Sequence, residues 1–147
     1  SVLCKPGKLT DDEFVVMKSH STASERLVHN IKQLGDISTW IKAHHEKWDG
    51  TGYPDRLKGE EIPLCSRIVA IADTYDAMTS TRSYRKALDH EVAIQEIQRC
   101  AGTQFDPRLA KLFVDMQDEI KLAKSDPEKY YKEYSLLHKN FEANKQK

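Results

Sequence analysis

His44 and His45 stand side by side, directly ahead of a segment, WDGTGYPDRLKGEEIP (48–63), that carries three glycines and two prolines. Neutral imidazole is a good ligand for zinc, iron, manganese and related ions. Adjacent side chains on a helix diverge by about 100°, so the pair can serve one ion where a helix ends, or two ions side by side. The glycines that follow allow a close backbone approach to a ligand. A solvent-facing pair is the competing reading. Asp73 interrupts an apolar helical run, IVAIAD (68–73), where an unpaired buried carboxylate would cost several kcal/mol. It therefore calls for a cation: an arginine, a lysine or a metal. Asp76 lies three residues on, on nearly the same face. Arg82 and Arg85 follow in STRSYRK (80–86), and a guanidinium fork matches phosphate oxygens. Either the aspartates pair with these arginines for structure, or residues 44–85 hold metal beside a phosphate. A lone mid-helix histidine such as His20 reads by itself as a hydrogen-bonded core or surface residue. His29, His90 and His138 read as structural or solvated.

The elements that position these residues read as helices. Thr10 and Glu13 form a capping box opening a helix to about Lys32, with Phe14, Met17, Leu27, Val28 and Ile31 on its core side. A second helix from about Asp36 carries Ile37, Trp40, Ile41 and His44 on one stripe. LCSRIVAIADTYDAM (64–78) is apolar on nearly all sides, which predicts a helix buried at the centre of a bundle. Asp89 predicts another N-cap, and Asp106–Pro107 and Asp126–Pro127 are two further helix starts. Tyr130, Tyr134, Leu137 and Phe141 form the apolar stripe of the last helix. Pro6 and Gly7 mark a loop, and no run of residues demands a strand.

Composition narrows the function. The 147 residues suffice for one domain with a real core. Lys plus Arg and Asp plus Glu are 23 each, so the formal net charge is zero, which argues against broad DNA binding but not against one small phosphate ligand. No apolar run reaches the ~20 residues of a membrane helix, and no secretory pattern opens the chain. Cys4, Cys65 and Cys100 are widely spaced and odd in number, the expectation being reduced thiols in a cytoplasmic protein.

Taken together, HHEKWDGTGYP (44–54), IPLCSRIVAIADTYDAMTSTRSYR (62–85) and GTQFDP (102–107) resemble the HD-GYP family at nearly every signature position. KPGKLTDDEF (5–14) and MKSH (17–20) match in order and spacing. The resemblance covers about residues 2 to 116. It implies an all-α helical bundle of the HD superfamily type, with residues 1–120 the C-terminal portion of an HD-GYP domain and 121–147 a helical extension. It implies a phosphodiesterase that hydrolyses cyclic di-GMP, through pGpG, to GMP. It makes His20, His44, His45 and Asp73 metal ligands, raising His20 from its plain reading. It puts Tyr53, Arg82 and Arg85 on the substrate, the arginines with Asp73 in catalysis, and Glu46, Asp49 and Asp76 in support of the ligands. Two or three divalent transition metals are implied, iron or manganese favoured. The Gly52–Tyr53–Pro54 loop is implied as a surface for GGDEF-domain partners, and a homodimer is possible.

The sequence departs from the family in three places. It contains no His-Asp pair, whereas the family's dyad precedes the KPGKLT region. The expectation is an N-terminally truncated piece of the enzyme, with partial or no metal occupancy and no activity of its own. The alternative is a non-catalytic module that binds nucleotide or a GGDEF-type partner. Ser83 stands where the family usually has Pro, and Ser21 and Ser24 where it often has Pro and Gly.

Overall fold

A computed structural model describes residues 10–31, 34–82 and 85–135. Pro6, Gly7, Cys4, Ser83, Leu137, His138 and Phe141 lie outside them. The described chain is an all-α helical bundle without strands. Helices α1 (Asp11–His29) and α2 (Gly35–Lys42) precede a long irregular segment that includes a 3-10 turn at Gly59–Glu61. Then come α3 (Leu64–Thr79), α4 (His90–Arg99), α5 (Pro107–Asp115) and α6 (Gln117–Ser125), with α7 over 127–135. Isolated bridges join Arg82 to Arg85 and Ala101 to Phe105.

The local start signals act as read. The Thr10 hydroxyl accepts from the Glu13 amide at 3.3 Å, and the Glu13 carboxylate accepts from the Thr10 amide at 2.8 Å. This satisfies two of the amides that a helix N-terminus leaves without partners. Asp106 caps α5 by accepting from the Arg108 amide at 2.9 Å, with Pro107 in the first turn. Asp126 accepts from the Lys129 amide at 3.0 Å. Asp89 is the N-cap of α4 by position, but its side chain makes no cap hydrogen bond. The stripe expected on the last helix begins with Tyr130 and Tyr134, whose rings stack with centroids 6.0 Å apart.

The core is displaced from where the apolar patterns put it. Its cluster joins Ile71, Tyr75 and Met78 of α3, Ala93, Ile94 and Ile97 of α4, and Phe105 and Ala110 at α5. Helix α3 is thus buried along one face only. Ile68 and Val69 are 48% and 46% exposed, and Asp73 is exposed with them, so its carboxylate is not the buried charge the sequence pattern implied. The stripe expected to bury α1 is likewise largely open: Phe14, Leu27 and Ile31 are exposed, and Ser21 is the one buried residue of that helix. Among the described residues the Ser21 hydroxyl has no hydrogen-bond partner. Helix α1 packs chiefly on α2, and α2 joins the core through α3.

The reading from sequence also missed the break at Met116, which divides α5 from α6 without proline or glycine. Helix α6 crosses the 120/121 boundary as one element. Lys121 bonds Glu91 of α4 at 2.7 Å, and Lys124 bonds Asp76 of α3 at 2.7 Å. Buried Asp106 and partly buried Arg67 form an ion pair at 2.7 Å.

Candidate metal centre

His20 comes from the middle of α1, whereas His44 and His45 lie just past the C-terminal end of α2. The break in the helix frees the adjacent pair from helical divergence, and their ring centroids are 3.9 Å apart. One ring nitrogen from each of the three histidines falls within a common 4.8 Å, and all three residues are partly buried. The Nε2 atoms of His20 and His45 face each other at 3.0 Å.

Backbone carbonyls fix the rings. The Nδ1–H of His20 donates to the Met17 carbonyl at 2.6 Å, and the Nδ1–H of His44 donates to the Ile41 carbonyl at 2.5 Å. A carbonyl can only accept, so Nδ1 carries the proton and Nε2 is the atom left to face an electrophile. Such an outer-shell bond is the usual accompaniment of a metal-ligating histidine. Burial, with His44 and His20 close by, pulls the His45 imidazole from an ordinary 6.5 down to about 4. It stays neutral, the form that ligates. Three imidazoles with converging nitrogens therefore fit a divalent transition metal.

Asp73 flanks this triad without joining it. With His44, His45, Tyr53 and Gln104 it lines a cavity of about 90 Å³, and with His44 and the α2 stripe Ile37, Trp40 and Ile41 a second of about 340 Å³. The Tyr53 ring lies 4.9 Å from His45. Burial and the Asp73 charge raise its pKa, so the phenol keeps its proton.

The loop over the site is anchored from beneath. Glu46 is 4% exposed, and its carboxylate oxygens accept from the Asp55 amide at 2.7 Å and the Leu57 amide at 3.1 Å. The Tyr53 amide donates to the His45 carbonyl at 3.3 Å. Gly52 lies against that backbone so closely that a Cβ would come within 2.3 Å of the Lys47 nitrogen. The GTQFDP turn holds the loop's root, the Trp48 amide donating to the Gln104 carbonyl at 3.1 Å and the Asp49 amide to the Thr103 carbonyl at 2.9 Å.

The remaining sequence-derived residues lie further out. Asp49 receives the Thr51 amide and hydroxyl in a local turn, and Asp76 bonds Lys124 and Ser80. Arg82 and Arg85 are exposed beyond the end of α3, which stops at Thr79. Their backbones pair with each other, the Arg85 guanidinium donates to the Ala77 carbonyl at 2.7 Å, and neither lines the histidine cavity. His90 accepts a structural role, its Nδ1 lying 2.9 Å from the Tyr75 hydroxyl. Sequence reasoning missed Gln104, whose amide donates to the Thr74 hydroxyl at 3.4 Å, and the orienting carbonyls of Met17 and Ile41. For the carbonyls, the three-residue offset on a helix was the available signal.

Residues 1–109 match the family model of the HD domain. The chain belongs to the HD domain family. Within it, the chain is a homologue of HD-GYP-type phosphodiesterases. It is 45% identical over 127 residues to a cyclic di-GMP phosphodiesterase of Vibrio cholerae serotype O1, covering 82% of this chain and 26% of that protein. It is 42% identical over 123 residues to a cyclic di-GMP phosphodiesterase of Thermotoga maritima, covering 81% of this chain and 33% of that one. Among solved structures it resembles a cyclic GMP-AMP-specific phosphodiesterase of V. cholerae, with a TM-score of 0.55 at 28% identity over 81% of this chain and 26% of the other. The chain thus spans about a quarter to a third of these relatives. No described helix is long and apolar enough to cross a membrane.

Proposed function

We propose that the protein is a metal-dependent phosphodiesterase that hydrolyses cyclic di-GMP to pGpG and GMP, and that this chain carries one lobe of its active site. The observation that carries the reading is the convergence of His20, His44 and His45, two of them with Nδ1 pinned to a carbonyl. The named activities of the relatives support the substrate class.

In this reading the three imidazoles and Asp73 hold a divalent transition metal, iron or manganese favoured. When bound, such an ion supplies Lewis acidity toward a phosphoryl oxygen and lowers the pKa of water. The Tyr53 phenol, kept protonated, donates to the substrate. Glu46 holds the loop that carries it. Arg82 and Arg85 reach the phosphate from the turn after α3, which requires their exposed side chains to swing toward the histidines when substrate arrives.

Among the described residues no further His, Cys, Asp or Glu joins the triad. This chain by itself is expected to hold less than one tightly bound ion and to turn over no substrate, the three imidazoles and Asp73 reaching full affinity only in the intact protein. The test is cobalt titration coupled to cyclic di-GMP hydrolysis, on the intact protein and on this chain together. In the intact protein His45→Ala should abolish both metal and turnover. Unchanged turnover would remove His45 from the site, and two tightly held ions in this chain alone would refute the one-lobe assignment.

A further inference from the structure

A cleft of about 780 Å³ opens beside the histidines, between α1 and the loop over residues 50–56. That volume lies within the ~300–1,000 Å³ range of small-molecule sites. Tyr53 and Lys47 line both this cleft and the small histidine cavity, so the two spaces share a wall. The cleft has a definite chemistry. Lys18, Lys47 and Arg56 bring three cations to it, and among the described residues no acidic side chain lines it. Phe14 and Tyr53 bring two rings, set edge to face with centroids 6.3 Å apart, and the Lys18 ammonium lies 5.0 Å from the Phe14 ring centre. Cations interleaved with aromatic rings suit a ligand that is both anionic and aromatic.

Arg56 carries the argument further. Its φ is +58°, and among the described residues it is the one non-glycine with positive φ. The cause is the anchor beneath it. The amides on either side, of Asp55 and Leu57, both donate to the single carboxylate of Glu46. Turning two flanking amides onto one acceptor curls the chain at residue 56 into the left-handed region. Glycine enters that region freely, whereas arginine does so against its Cβ. A strained non-glycine residue lining a cleft beside a candidate active site points to a use for its side chain.

We propose that Arg56, with Lys18 and Lys47, forms an anion subsite for the phosphodiester of a cyclic dinucleotide remote from the histidines, with the Phe14–Tyr53 edge receiving a base. This rests on the reading that the reacting phosphate sits at the histidines. Arg56 then sets affinity for the second half of the ligand. Its guanidinium offers the planar fork that suits phosphate oxygens.

The test uses cyclic di-GMP as the probe on the cobalt-loaded intact protein, by calorimetry at several salt concentrations. Arg56→Gly removes the charge and relieves the backbone together. Binding should weaken about tenfold, the loss of roughly one charge-assisted hydrogen bond. The salt dependence should become shallower, the cobalt spectrum should stay unaltered, and the melting temperature should not fall. Arg56→Gln keeps the strained backbone and removes the charge, and should weaken binding to the same extent. If both variants bind the probe as tightly as the unmodified protein, with the same salt dependence, the subsite is refuted. Loss of cobalt and turnover in His45→Ala alongside would leave the phosphodiesterase reading standing alone. If the unmodified protein takes up cobalt yet binds no cyclic di-GMP, subsite and substrate assignment fall together.

Discussion

Gly52→Ala is the sharpest probe of how the loop is seated on the candidate centre. An added Cβ would lie 2.3 Å from the Lys47 nitrogen, 2.5 Å from the Glu46 Cα and 2.7 Å from the Glu46 carbonyl carbon. Ordinary contacts between such atoms are near 3.5–4.0 Å, so about 1 Å of separation must be created. All three obstructing atoms are backbone, and no rotamer change relieves them. The strands of chain at 45–47 and 52–57 must part, against the Tyr53–His45 backbone bond and the two amide bonds to Glu46. Losing the first and one of the second costs about 2.5–4 kcal/mol, at ~1 kcal/mol for a neutral bond and ~1.5–3 for one to a charged group. Gly102→Ala is the control. Its φ is +82° and a Cβ there meets nothing within 4 Å, so only the left-handed backbone penalty of ~1–2 kcal/mol applies. Urea unfolding measures both costs, and cobalt titration of the intact protein measures whether His45 has moved. Gly52→Ala should lose both stability and cobalt affinity, and Gly102→Ala stability alone. A Gly52→Ala protein within 0.5 kcal/mol of the original in stability, by the usual ~0.5 kcal/mol scatter of neutral substitutions, and with its cobalt affinity intact, would refute the close seating.

Two further outcomes concern stability. Asp106→Asn strands the partly buried Arg67 guanidinium and should cost about 3–5 kcal/mol, with Asp106→Ala losing ~1 kcal/mol more with the α5 cap, both by urea unfolding. Burial alone would raise the Asp106 pKa, but the Arg108 amide and the Arg67 guanidinium outweigh it and hold it below the ordinary 3.8. The folded protein therefore binds this proton less readily than the unfolded chain. The carboxylate's contribution is present above pH 3.8 and is lost as pH falls through the lowered value, and Asp106→Asn should flatten that acid limb of stability against pH. Ser21→Ala removes a buried hydroxyl with no partner among the described residues and should raise stability by about 1–2 kcal/mol, read as a higher urea midpoint at unchanged slope. A lower midpoint would mean that the hydroxyl is satisfied.

The parts of the fold that were legible in the sequence are those settled within a few residues. The Thr10–Glu13 box and the Asp106–Pro107 start depend on contacts between near neighbours, and both form. Burial is a different question. The apolar surround of α3 signals that the helix wants partners, but it does not say which face finds them. Ile71, Tyr75 and Met78 do, and Ile68 and Val69 do not. Asp73 was singled out because it was expected to be buried, and its exposure removes that ground while its place beside His44 and His45 remains. His20 meets His45 across 25 residues of chain, a distance no local periodicity spans, and only the family resemblance drew it in. The Met116 break is invisible because nothing in its side chain interrupts a helix.

The placement of His20 on α1, apart from His44 and His45, has a consequence for kinetics. That helix supplies one of three converging imidazoles, yet it packs chiefly on α2 and buries only Ser21. An ion held by all three would therefore cross-link α1 to the turn that follows α2. Its residence time would depend on how often this helical arm lifts from α2, since each opening would withdraw one donor while the other two stay put. Any mutation or partner that seats α1 more tightly should slow metal exchange without touching a ligand. An ion held at a hundred times its dissociation constant would in turn stabilise the docked arm by ~2.7 kcal/mol. Arm and ion then act as one latch, each setting the lifetime of the other.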